Sequence, residues 1–126
     1  MSRPLHELIA RNRSGEVVGL PCFCTSNEHV LRTILTFAGK HEIPAVIEAT
    51  CNQVNQDGGY SGMTPNDFIT WLEKMAQEVG VPMSKLILGG DHLGPNPWRS
   101  KPLEHAMSKA RELVQLFVEP GFTKST

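Results

Sequence analysis

Asp91 and His92 stand side by side in LILGGDHLGPNPW, residues 86–98. An acid beside an imidazole can move a proton and can hold a metal: neutral imidazole binds Zn²⁺ while a neighbouring carboxylate acts on a substrate proton. The position suits chemistry as well as the residue types do. A short apolar run, Leu86 to Leu88, has strand length and is cut off by Gly89-Gly90, so the pair emerges where a strand becomes a loop. In α/β proteins a side chain at the carboxyl end of a strand is held firmly and still faces substrate. Gly94, Pro95, Asn96 and Pro97 then make a loop that cannot continue as regular structure, with Trp98 as its aromatic anchor.

A single histidine is not a metal site, because a catalytic zinc needs three protein ligands. The other histidines (His6, His29, His41 and His105) read as helix or surface positions. Glu48, near the end of the apolar run AVIEAT, can face the same mouth as Asp91 or pair with a lysine. The stretch CNQVNQDGGYSGM, residues 51–63, is the longest polar segment. Its Asn52, Asn55, Gln56, Gly58 and Gly59, with Asn96 from the later loop, offer amides and free backbone N–H groups that suit sugar hydroxyls or a phosphate. The alternative is a surface loop whose amides cap their own turns. Neither G-x-x-x-x-G-K-[ST] nor G-x-G-x-x-G occurs, so phosphoryl transfer through a phosphate loop has no support.

The elements that must position these groups alternate along the chain. PLHELIARNR (4–13) reads as a short helix with Pro4 in its first turn and Gly15 as a stop. Val17 to Phe23 is a first strand, irregular at Gly19 and Pro21. Thr25 and Glu28 have capping-box spacing, and Val30, Leu31, Ile34, Leu35 and Ala38 form an apolar stripe closed by Gly39. Pro44 opens AVIEAT, a buried parallel strand. Thr64 caps the next helix with Pro65 at its first position; Phe68, Ile69, Leu72, Met75, Ala76 and Val79 are its buried face, before Gly80. After the Asp-His loop, Ser100 caps a helix with Pro102 just inside. Its stripe is Leu103, Ala106, Met107, Ala110, Leu113, Val114, Phe117 and Val118.

A helix followed by three βα units means a parallel sheet with helices outside, an α/β fold. Three strands cannot close a barrel of eight, which takes ~250 residues. A fourth strand is announced by the rhythm and not delivered in Phe122 to Thr126. Residues 1–126 therefore read as one partial βα-barrel domain, truncated after the third unit.

Composition narrows the partners. Twelve basic against thirteen acidic residues give a net charge of −1, which leaves no electrostatic footprint for nucleic acid or an anionic membrane. No apolar run approaches the ~20 residues of a membrane helix, and charged residues occupy the place of a signal-peptide core, so the expectation is cytoplasmic. Cys22, Cys24 and Cys51 are odd in number with no C-x-x-C, which fits a reducing compartment. Cys22 and Cys24 share one strand face and read as small buried hydrophobes rather than a metal pair.

EATCNQVNQDGGYSGM (Glu48 to Met63), TPNDF at a helix start and ILGGDHLGPNPW (Ile87 to Trp98) resemble the Z-type, non-catalytic subunit of class II D-tagatose-1,6-bisphosphate aldolase, of galactitol and N-acetylgalactosamine catabolism. The resemblance covers nearly the whole chain. It implies a TIM-barrel-like (β/α)8 fold, of which this chain carries the first three units. It also implies an accessory role, supporting the activity and stability of a catalytic Y-type aldolase subunit in tagatose 6-phosphate degradation, within an oligomer that meets sugar phosphate. By analogy with related catalytic aldolases, Asp91 would be the proton-transferring acid and His92 a Zn²⁺ ligand, the other ligands lying beyond residue 126. The alternatives are a zinc-dependent class II aldolase in its own right, a tagatose 6-phosphate kinase, or an inactive fragment.

Overall fold

The computed structural model describes residues 3–120 and 124–125. Its elements run α1 (Arg3–Arg13), β1 (Cys22–Cys24), α2 (Glu28–His41), β2 (Ala45–Thr50), α3 (Pro65–Glu78), β3 (Leu86–Asp91), α4 (Leu103–Val118) and β4 (Lys124–Ser125). The strands lie in the order β1-β2-β3-β4, all parallel. Right-handed crossovers between successive neighbours put α2, α3 and α4 on the same side of the sheet. A doubly wound fold reverses its strand order and covers both faces; this one does neither, and its geometry is that of part of a barrel.

Side-chain alternation sorts the strand residues onto two faces. Ala45, Ile47, Ala49, Leu86 and Leu88 join one core with Leu31, Leu35, Phe68, Leu72, Met75, Leu113 and Phe117 from the helices. Cys22, Cys24, Val46, Glu48, Thr50, Ile87, Gly89 and Asp91 fall on the opposite face by the same alternation. That face is the inner wall of the curved sheet. Burial of whole apolar side chains at ~25 cal/mol per Å² makes the helix-to-sheet layer the main source of stability.

The helices form where period and caps agree. α3 is the clearest case: Thr64 Oγ1 accepts from the Asp67 N–H (3.3 Å) and Asp67 Oδ2 accepts from the Thr64 N–H (3.0 Å), with Pro65 in the first turn. Phe68, Ile69, Leu72, Met75 and Ala76 are buried beneath it, as their spacing predicts.

Several boundaries differ from the sequence reading. β1 starts at Cys22 rather than Val17, and Val17 is fully exposed. Pro21 has no N–H to give a ladder, and pairing begins just after it. α2 is capped by Asn27, whose Oδ1 accepts from the Val30 N–H at 3.1 Å; Thr25 instead accepts from the Asn27 N–H in the turn before. Gly39 does not end α2, which runs to His41 and closes on Glu42 in the left-handed region (φ 54°). A Cβ on Gly39 would come within 2.6 Å of Val81 Cγ2, so this glycine serves close packing. Gly89 and Gly90 likewise continue β3, paired with Glu48 and Ala49. Ser100 caps nothing: a short 3-10 turn at Asn96–Trp98 carries the chain to Lys101, and α4 begins at Leu103 with no side-chain cap. Of the α4 stripe, Ala106, Ala110, Leu113 and Phe117 are buried, whereas Leu103, Met107, Val114 and Val118 are exposed. Val30 on α2 is exposed as well. The fourth strand that the rhythm announced is present as Lys124–Ser125, in register with Gly89 and Gly90.

Candidate functional site

The carboxyl ends of β1, β2 and β3 bring three of the chemical side chains into one neighbourhood. Cys24 is in register with Glu48, and Thr50 with Asp91, so Cys24, Glu48 and Asp91 occupy adjacent places on the inner wall. Glu48 is buried and Asp91 is about one quarter exposed. Cys22 and Cys24 share this face, as expected of an i, i+2 pair, and both are exposed rather than buried. The reason is that β1 is an edge strand whose inner side meets no further layer among the described residues. The Cys24 thiol gives a weak hydrogen bond to Gln53 Oε1 (3.6 Å). Desolvation first, then a hydrogen bond with Asp91 and the charges of Asp91 and Glu48, push its pKa up to about 11. Cys24 is therefore a neutral thiol at physiological pH and no nucleophile.

Asp91 closes β3, and His92 follows it with φ 50° and a side chain 85% exposed. The sharp turn has a packing cause. Leu93 folds back over Gly90, where an added Cβ would meet Leu93 Cδ1 at 2.5 Å and Phe117 Cδ1 at 3.0 Å. Docking Leu93 into that notch forces His92 into the left-handed region and swings its imidazole outward. His92 Nε2 lies 3.7 Å from Asp91 Oδ1, close enough for an ion pair when the ring is protonated and too far for a hydrogen bond.

Zinc chemistry requires more than this pair. Among the described residues no three His, Cys, Asp or Glu side chains approach one another closely enough to share an ion. The described residues thus do not by themselves fit a zinc centre of three protein ligands. His6, His29, His41 and His105 all sit on helices rather than at the carboxyl ends of strands.

The loop at residues 51–63 is ordered by its own amides. Asn55 is buried; its Nδ2 donates to Cys51 O (2.7 Å) and its Oδ1 accepts from the N–H groups of Asp57 (2.9 Å) and Gly59 (3.1 Å). Gly59 has φ 55°, and a Cβ there would stand 2.4 Å from Gln53 O, a backbone atom that cannot step aside. Gly58 also has positive φ, at 97°. Gln53 Oε1 accepts from the Thr50 N–H at 2.8 Å, closing the carboxyl end of β2.

The same loop is tied to the one after β3. Asn96 Nδ2 donates to Asn52 Oδ1 at 3.0 Å, so these two candidates meet each other. Gln56 Nε2 donates to Lys109 O (2.9 Å) and Glu112 Oε2 (3.2 Å) on α4. Asp57 accepts from Trp98 Nε1 (2.7 Å) and Lys109 Nζ (3.2 Å). The Trp98 hydrogen bond, opposed by desolvation and helped by Lys109 and the charge of His105, holds its carboxyl below the usual aspartate range. Of the candidate residues, Glu48 and Asp91 thus line the inner wall. Asn52, Asn55, Gln56, Gly58, Gly59 and Asn96 build and fasten the loops above it. Gln53 and Asp57 lie within the polar segment that the sequence points to, but are not among the residues it singles out. Asp57 had a signal: an indole that anchors a loop needs an acceptor for its N–H, and Asp57 is an acid in the facing loop.

Known proteins resemble this chain in sequence and in backbone fold. The sequence profile of a family described as D-tagatose-1,6-bisphosphate aldolase subunit GatZ/KbaZ-like matches residues 5–125. A D-tagatose 6-phosphate 4-epimerase of Agrobacterium fabrum is 45% identical over 124 residues, covering 98% of this chain and 29% of that protein. The D-tagatose-1,6-bisphosphate aldolase subunit GatZ of Salmonella typhimurium is 47% identical over 120 residues, 95% of this chain and 28% of its own length. A crystal structure of a probable tagatose 6-phosphate kinase from Sinorhizobium meliloti superposes with a TM-score of 0.82 at 45% identity, over 86% of this chain and 28% of that one. The chain spans less than a third of the length of these relatives. Their names differ in the reaction and agree on a tagatose phosphate. With a family profile running through every strand from β1 to β4, and a solved relative that superposes on most of the chain, this chain belongs to the D-tagatose-1,6-bisphosphate aldolase subunit GatZ/KbaZ-like family.

Proposed function

We propose that the chain forms part of a non-catalytic accessory subunit of a tagatose-bisphosphate aldolase, supporting the activity and stability of a catalytic Y-type subunit in tagatose 6-phosphate degradation. The match to the aldolase-subunit family over residues 5–125, with 47% identity to the Salmonella typhimurium subunit, carries this reading. Exposed apolar side chains support it, since an accessory subunit works through the surfaces it covers. Leu103, Met107, Val114 and Val118 line up on α4 at helical spacing and are open to contact. On this reading residues 1–126 are one partial βα-barrel domain, completed within the larger assembly.

The test is retro-aldol cleavage of tagatose 1,6-bisphosphate by the Y-type subunit, followed over time with and without this chain. A longer half-life or higher turnover is the expected result. No effect, in a preparation where a full-length Z-type subunit does act, removes the accessory role.

A second reading has one observation in its favour. A relative 45% identical is named a tagatose 6-phosphate epimerase, and Glu48 and Asp91 are two carboxylates on the inner wall where sugar carbons would lie. Here Asp91 acts as acid or base, Glu48, Asn52 and Asn96 bind sugar phosphate, and His92 completes a metal site with ligands from elsewhere in the barrel. Conversion of tagatose 6-phosphate without any partner, abolished in Asp91→Asn, is the result that would establish it.

A further inference from the structure

A cavity to which neither Glu48 nor Asp91 contributes lies beside the loop at 51–63. It measures about 550 Å³ and is lined from the β1–α2 loop, the loop at 51–63 and the flanks of α2 and α3; nothing from β3 or the loop after it contributes. Its chemistry is consistent around the wall. Ser26, Tyr60 and Ser61 bring hydroxyls, Asn27 and Gln53 bring amides, and Trp71 brings a flat aromatic wall.

Two donors in this lining are unused. Gln53 is more than nine-tenths buried. Its Oε1 is engaged by Thr50 N–H and the Cys24 thiol, but its Nε2 reaches no acceptor among the described residues. The Trp71 ring packs against Phe68 at 5.9 Å, and its indole N–H also reaches no acceptor among the described residues. Neither N–H is sealed in the interior, so both stand open to an acceptor that enters the cavity. Both groups share a cavity large enough for a monosaccharide-sized ligand.

The charge pattern says which kind. No lysine or arginine lines the cavity, and its one ionic side chain is Glu28, which is already paired with Arg32 at 2.9 Å. A phosphate or carboxylate would find N–H donors with no cation and a carboxylate nearby. A hydroxyl accepts from an N–H and donates to Ser, Tyr or Asn oxygens without bringing charge. An aromatic wall beside convergent polar groups completes the usual make-up of a small-ligand site.

We infer that this cavity is a binding site for a neutral, hydroxyl-rich ligand, a polyol or an unphosphorylated sugar, separate from the inner-wall carboxylates. This goes beyond the accessory reading and stands independently of it. The experiment is amide and indole NMR of the full chain titrated with D-sorbitol and D-galactose, with glucose 6-phosphate as the charged comparison. Saturable shifts at Ser26, Asn27, Ser61 and the Trp71 indole are expected with a neutral probe, and weaker ones with the phosphate. Gln53→Met should weaken binding about tenfold, the worth of a hydrogen bond to a neutral partner. Because Gln53 also closes β2, Tyr60→Ala and Ser26→Val, both outside the core, are the deciding variants and should weaken binding severalfold with an unchanged fold. The inference is overturned by no saturable shift with either neutral probe, by shifts confined to the Asp91 loop, by tighter binding of the phosphate, or by unaltered affinity in both surface variants.

Discussion

The indole N–H of Trp98 donates to Asp57 Oδ2 at 2.7 Å, joining the turn after β3 to the loop after β2 across 41 residues of sequence. The bond fixes two mouth loops relative to each other, with Lys109 on α4 closing the triangle at 3.2 Å. A hydrogen bond to an ionised acceptor adds about 1 kcal/mol or somewhat more, discounted here because the Asp57 side chain is half exposed. Trp98→Phe and Asp57→Asn, combined in a double-mutant cycle by urea denaturation, should show a coupling of about 0.5–1 kcal/mol. Simple additivity would mean that the contact does not hold the loops.

The same carboxylate gives a pH signature. Its pKa is depressed in the folded chain, so its contribution is complete above the unfolded value near ~3.9 and is lost as pH falls through the lower, folded value. Below about pH 4 the wild-type urea midpoint should therefore fall more steeply than that of Asp57→Asn. Parallel curves for the two proteins would argue against the ion-assisted bond.

Gly90 admits Leu93 to the core, and an alanine there collides with Leu93 and Phe117. Gly90→Ala should cost about 1–3 kcal/mol, the usual penalty of overpacking. Much of that should be recovered in the Gly90→Ala, Leu93→Ala double variant, because the second change removes the nearest obstacle. Equal losses in both backgrounds, read from thermal midpoints, would place the strain elsewhere.

His92 adopts φ 50° with an exposed side chain, so the backbone bears a cost that no buried contact of the ring repays. His92→Gly should raise stability by about 0.5–1 kcal/mol, since glycine takes this conformation freely. If the imidazole serves the site, support of the Y-type subunit or sugar-phosphate turnover should fall in the same variant. Opposite movements of stability and function would mark His92 as kept for its chemistry, whereas unchanged function would assign it to the turn alone.

Much of the fold was legible because period and composition agree in the helices. The Thr64-Pro65 start and the Phe68 to Met75 stripe of α3 needed no tertiary help, and AVIEAT could hardly be anything but a buried strand. What sequence could not give was context. Gly89 and Gly90 looked like a break because glycine ends strands in isolation, yet here Gly90 makes room for Leu93 on a strand that continues to Asp91. Half of the α4 stripe proved exposed because periodicity marks apolar faces without saying which neighbours cover them. At the site, the acid and imidazole were found by type and position. That Asn52 would meet Asn96, and Asn55 serve its own loop, depended on contacts between residues far apart in the chain.

The loop at residues 51–63 has one more consequence. Loops over strand ends commonly lose conformational freedom when a ligand arrives, and that loss subtracts from affinity. Here Asn55 has already organised the turn, and Asn52, Gln56 and Asp57 have fastened it to the neighbouring loop and to α4. The ordering happens during folding, before any ligand binds. A molecule entering either the inner wall or the cavity beside Trp71 meets a pre-organised rim. Its affinity should then rest on the contacts it makes, and its association rate should be free of a slow loop-closing step.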